Sequence, residues 1–104
     1  MELFHKMISA ALNISEKQIN NTLNILKDGA TIPFISRYRK EVTGGLDEVQ
    51  IENIKNQYDK LCETAKRKET ILSTIQEQGK LTAELQKRIE ETWDNTLLED
   101  IYLP

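Results

Sequence analysis

Apolar residues recur at helical spacing along most of the chain. Phe4, Met7, Ile8, Ala11 and Leu12 fall at intervals of three and four and predict an amphipathic helix over residues 2–12. Asn13-Ile14-Ser15 interrupts it. Ser15, with Gln18 three positions on, predicts a capping box, in which each side chain satisfies an orphan backbone donor of the other's turn. Ile14 and Ile19 flank that cap and suit a hydrophobic staple. The next helix carries Ile19, Leu23 and Leu26 on one face. Lys27 sits favourably in its last turn, and Gly29 supplies a left-handed stop.

Thr31-Ile32-Pro33 opens a third element. Proline fits a first helical turn because its missing N–H would be unpaired there. A short helix is expected from about Pro33 to Lys40, with Phe34, Ile35 and Tyr38 on its apolar side. Thr43-Gly44-Gly45 reads as a tight turn, and Asp47 as the cap of a fourth helix. Ile51, Ile54, Tyr58, Leu61, Ala65, Leu72 and Ile75 then form a heptad-like seam, broken only by Lys68. That helix should stop at Gly79. At roughly 30 residues it would be about 45 Å long, more than a compact domain of this size needs. Part of it is therefore expected to project or to pack on something beyond the chain. Thr82 caps a fifth helix with Leu85, Ile89 and Trp93 inward. Thr96 and Glu99 suggest another capping box before a short turn over Leu97–Tyr102. The pattern predicts an all-α fold: one domain over 1–104, helix-turn-helix-like at its N-terminal end, with one long helix over about 47–78.

Composition narrows the function. The net charge is −3, so any phosphate contact must come from a local patch and not from the overall field. Cys62 is the single cysteine, which excludes an intrachain disulfide and a zinc site built on Cys pairs, and fits a reducing compartment. The N-terminus lacks the basic start and apolar run of a secretory signal. No stretch approaches the roughly 20 apolar residues of a membrane span. A soluble, cytoplasmic chain is expected, with no membrane partner. His5 is the single histidine and has no evident partner constellation. Cys62, beside Leu61 on the long helix, reads as a half-buried thiol. Glu90-Glu91 and Glu99-Asp100 are neighbours in sequence, which do not face each other on a helix. Gly44-Gly45 lacks the context of a phosphate-binding loop. No catalytic residue, metal ligand or cofactor site emerges, and no enzyme is expected.

The basic residues do cluster. Arg37, Arg39 and Lys40 crowd the short helix, and Lys66, Arg67 and Lys68 the long one. These six are the candidate nucleic-acid contacts. Arg37 and Glu41 lie one turn apart and could pair, leaving Arg39 freer to reach a phosphate or a carboxylate with its planar fork. An ion-paired docking surface is the alternative for the first triplet, and a solvated face for the second, which Glu63 and Glu69 flank. The helices joined through Gly29 also suit a helix-turn-helix, in which Ser36, Arg37, Arg39 and Lys40 would reach base edges.

The segments GATIPFISRYRKE over 29–41 and TGGLD over 43–47 resemble the N-terminal region of the Tex family of bacterial transcription accessory proteins. Glu69-Thr70-Ile71-Leu72, Gln78-Gly79-Lys80-Leu81-Thr82 and Leu98-Glu99-Asp100-Ile101-Tyr102-Leu103-Pro104 continue the resemblance in order. Residues 1–20 match in helical character only. The resemblance implies a parent several times longer, with an RNase H-like domain, helix-hairpin-helix elements and a C-terminal S1 domain as the main RNA-binding element. The chain's end at Leu103-Pro104, without a polar tail, fits a boundary inside such a protein. The expected partners are nucleic acid, RNA or DNA, through the full-length protein, and the parent's other domains. Self-association through an exposed seam of the long helix is also open. The expected role is a contribution to nucleic-acid binding and transcription regulation. A scaffold that docks the parent's other domains without touching nucleic acid is the alternative.

Overall fold

A computed structural model describes residues 2–102; the Leu103-Pro104 end of the last resemblance block lies outside them. Among the described residues every regular element is helical. In order these are α1 (Glu2–Leu12), α2 (Glu16–Lys27), α3 (Ile32–Tyr38), α4 (Lys40–Thr43), α5 (Glu48–Glu77), α6 (Ala83–Glu91) and α7 (Asn95–Tyr102). The all-α class and the long helix match the sequence pattern. Two compact units divide the chain, the first ending at Asp59 and the second beginning at Lys60. α5 contributes its first turns to one and its later turns to the other.

In the first unit, local chemistry sets each helix end. Gln18 N–H donates to the Ser15 hydroxyl at 3.2 Å, and the Gln18 amide oxygen accepts from Ser15, which completes the capping box at α2. At the other end of α2, Gly29 has φ +100°. Its N–H donates to Leu26, and that of Ala30 to Ile25. Those two bonds satisfy carbonyls that the helix leaves orphaned. Asp47 and Gln50 exchange bonds at 2.8 and 3.0 Å and start α5 in the same way as Ser15 and Gln18 start α2. In this unit Phe4, Ile8, Ile14, Ile19, Ile35, Leu46, Ile51 and Ile54 are buried. Phe4 meets Tyr58 of α5 edge to face, with ring centroids 6.0 Å apart.

The Gly44 turn is held from the side. The Gln18 amide nitrogen donates to the Thr43 carbonyl at 3.0 Å, and the buried Thr43 hydroxyl accepts from Leu46 N–H at 3.2 Å. Gly44 has φ +75°, and a Cβ there would sit 2.7 Å from the Gln18 amide nitrogen. Gly44→Ala should therefore cost about 1–2 kcal/mol from the left-handed backbone alone. Displacing Gln18 from both its bonds adds to that. Urea denaturation followed by circular dichroism measures the loss; an unchanged midpoint would mean that the turn is not held this way.

In the second unit, Ile71, Ile75, Ile89 and Leu98 form a buried cluster, with Leu72, Leu81, Leu85, Ile101 and Tyr102 packed on it. The Thr82 hydroxyl accepts from Leu85 N–H at 3.1 Å and caps α6. Gly79, at φ +71°, ends α5 with the same pair of bonds as at Gly29, from Gly79 to Gln76 and from Lys80 to Ile75. The start of α7 differs from the expected Thr96–Glu99 box. The Asp94 carboxylate caps it instead, accepting from Thr96 N–H at 2.8 Å and Leu97 N–H at 3.3 Å. Glu99 is engaged elsewhere, with Arg67. The Thr64 hydroxyl lies 2.9 Å from the Lys60 carbonyl and 3.1 Å from the Asn95 amide oxygen, sharing its one proton between them.

Candidate nucleic-acid interface

The first cationic triplet sits where one helix becomes two. Thr31 caps α3 by accepting from Phe34 N–H at 3.3 Å, and Pro33 fills its first turn. The single helix expected through Lys40 stops at Tyr38. Arg39 leaves helical geometry (φ −130°, ψ 33°), yet its N–H still donates to Ile35. Its carbonyl accepts from Val42 and Thr43, so one residue closes α3 and opens α4. The continuous recognition helix that a helix-turn-helix reading needs is therefore two short pieces. Ser36 spends its hydroxyl on the Pro33 carbonyl at 3.0 Å.

Within α3, before the break, Phe34, Ile35 and Tyr38 divide between core and water. Ile35 is fully buried, whereas Phe34 is 40% and Tyr38 64% exposed. Sequence spacing put both rings on the apolar side with Ile35, but Ile35 alone is buried. The two rings lie 5.4 Å apart, tilted by 46°. The Arg39 guanidinium lies 5.4 Å from the centre of the Phe34 ring, a contact of about 0.5–1 kcal/mol at an exposed site. Glu41 pairs with Arg39, not with Arg37 as the one-turn spacing suggested, and at 3.7 Å the pair is long and exposed. The lost helical register at Arg39 accounts for the exchange. Arg37 and Lys40 are exposed, and among the described residues neither has an ion-pair partner. The corner thus presents two unpaired cations, one loosely paired cation and two aromatic rings.

The second triplet behaves differently. Lys66 is exposed. Arg67 grips Glu99 with two bonds, Nε to Oε1 at 2.7 Å and Nη2 to Oε2 at 3.1 Å, and lies over the Tyr102 ring at 5.3 Å. The hydrogen bond from Arg67, aided by its charge and opposed by partial burial, holds the Glu99 carboxyl below the usual range. Lys68 is buried at 6% exposure. Its ammonium stands 3.6 Å from the centre of the Trp93 ring and donates to the Glu90 carbonyl. Burial pushes its pKa down, and the nearby Glu90 charge opposes that. Of the second triplet, Arg67 is thus paired with Glu99 while its side chain stays 41% exposed, and Lys68 is buried within the second unit. The seam position of Lys68, visible in the spacing, already sets it apart from Lys66 and Arg67.

Cys62 is half-buried, as expected. A groove of about 400 Å³ in the first unit is lined by His5, Leu23, Leu26, Lys55, Tyr58 and Asp59, among others. Its Lys55–Asp59 pair closes at 2.8 Å. Among the described residues no His, Cys, Asp and Glu cluster could hold a metal ion, and no helix is long and apolar enough to cross a membrane.

A family model described as the Tex-like protein N-terminal domain matches residues 2–76. The chain is 46% identical over 99 residues to the transcriptional accessory protein Tex of Neisseria gonorrhoeae, covering 95% of this chain and 13% of that protein. It is 44% identical over 101 residues to protein YhgF of Escherichia coli, covering 97% and 13%. It is 32% identical over 77 residues to the S1 RNA-binding domain-containing protein 1 of Pongo abelii, covering 74% and 8%. The chain therefore spans about an eighth of the length of its bacterial relatives.

Proposed function

Since the chain belongs to the Tex-like protein N-terminal domain family, we propose that it serves a transcription accessory protein as a helical module that contributes to nucleic-acid binding. The observation that carries this reading is the corner at Arg39, where Arg37, Arg39 and Lys40 are all exposed. Residues 31–41 carry a net charge of +2 in a chain whose net charge is −3. Local concentration of cations on an otherwise acidic chain is what a phosphate contact requires. The names of the relatives, a transcriptional accessory protein and an S1 RNA-binding domain protein, point the same way. The role is binding and not catalysis, and the setting we propose is the cytoplasm, which the free thiol of Cys62 suits.

Fluorescence anisotropy of the chain with labelled single- and double-stranded RNA and DNA, at several salt concentrations, tests the proposal. Each phosphate contact to a single strand contributes about −0.7 to the slope of log affinity against log salt. The Arg37→Ala/Arg39→Ala/Lys40→Ala variant should flatten that slope by about 2 if all three reach phosphates. Absence of binding at low salt would exclude direct contact and leave docking onto the parent's other domains as the role of this corner.

A further inference from the structure

We propose that Phe34 and Tyr38 form a stacking platform for unpaired bases, so that this corner takes single-stranded nucleic acid in preference to duplex. The inference rests on the nucleic-acid reading above and sharpens it. The chain has six aromatic residues: two Phe, three Tyr and one Trp. Phe4 is buried, and Tyr58, Trp93 and Tyr102 are half-buried. The only two exposed rings are neighbours on α3, 5.4 Å apart, beside the cations that the phosphate reading needs. A helix face turned only to solvent gains nothing from two adjacent rings, whereas a base offers a π-face to each. The Arg39 guanidinium lies over the Phe34 ring, 5.4 Å from its centre, and Arg guanidinium planes also stack on bases.

Charge selects the occupant. A purely apolar protein surface would have to bury Arg37 and Lys40 without partners, at a desolvation cost. A single strand provides rings for the rings and phosphates for the cations. It asks for no groove-reading helix: α3 has 7 residues and its Ser36 hydroxyl is committed to the Pro33 carbonyl. In a duplex the base faces are already covered by their neighbours, so this surface would find only phosphates there.

The test uses the chain with three probes: a labelled oligothymidylate, an abasic oligomer of equal length, and a duplex. Phe34→Leu and Tyr38→Leu should each weaken oligothymidylate binding about tenfold, the order of one base–aromatic stack. They should leave the salt slope and the weaker affinity for the abasic oligomer unchanged. Tyr38→Phe keeps a ring and should bind like the parent chain. Circular dichroism confirms that these exposed substitutions leave the helices intact. Oligothymidylate affinity that falls with salt but ignores the leucine variants would overturn the platform and leave the phosphate reading standing. So would equal binding of the abasic oligomer or the duplex, or a loss in Tyr38→Phe equal to that in Tyr38→Leu. No binding of any probe at low salt would overturn both readings together.

Discussion

Ile89→Ala is expected to cost the second unit about 2–5 kcal/mol, the range for removing a buried branched side chain and leaving a cavity. Ile89 is fully buried with Ile71, Ile75 and Leu98 on α5 and α7. A small unit has few such layers, so its margin is thin. The loss should take most of it. Trp93 is the single tryptophan, and it belongs to this unit, so its fluorescence reports unfolding here. A denaturation midpoint shifted by less than about 1 kcal/mol would mean that the cluster is not closed as described. Ile89→Val, which leaves a smaller gap, should cost about 0.5–1.5 kcal/mol.

Lys68 carries the second large effect. Lys68→Ala should destabilise this unit by about 1–3 kcal/mol, since it strips a buried stem from α5 and leaves the Glu90 carbonyl without its donor. Lys68→Met keeps the stem and removes the buried charge, so its loss should be smaller than that of Lys68→Ala. The pH dependence separates the two contributions. Burial lowers the pKa of the folded-state ammonium, so the unfolded chain holds that proton to a higher pH. The lysine chain should therefore gain stability as pH rises from the folded value toward about 10.4. Lys68→Met lacks that gain, so its shortfall against the lysine chain should widen as pH rises. Trp93 fluorescence measures it; a difference that does not change with pH would show that Lys68 is solvated.

The parts of the fold that could be read from sequence are those decided within one turn. Ser15 with Gln18, Asp47 with Gln50's turn, Thr82, Gly29 and Gly79 all act on backbone groups three to five residues away, and each does what its spacing indicates. What could not be read is decided by residues far apart in sequence. Thr96 and Asp94 are both good caps. Asp94 takes the role in a helix whose Glu99 reaches Arg67, 32 positions away. Lys68 looks like a flaw in an apolar seam until Trp93 and the Glu90 carbonyl are brought around it.

The candidate site divides along the same line. Its cations were visible as a run of Arg37, Arg39 and Lys40. The break at Arg39, which moves Glu41 to a different arginine, was not, and neither was the exposure of Phe34 and Tyr38 on α3. No glycine or proline marks that break. Helical spacing assumes a continuous helix, and here the helix ends two residues before the run does.

Gln18 uses both ends of one amide, its oxygen for the first turn of α2 and its nitrogen for the Thr43 carbonyl. One side chain thus links the start of that helix to the glycine turn 25 residues later, and the two are expected to open together. In hydrogen exchange the two places would behave as one opening unit, though they are distant in the chain. The cationic corner lies on the stretch of chain that this amide ties down at its far end, so its rigidity depends on a residue outside it.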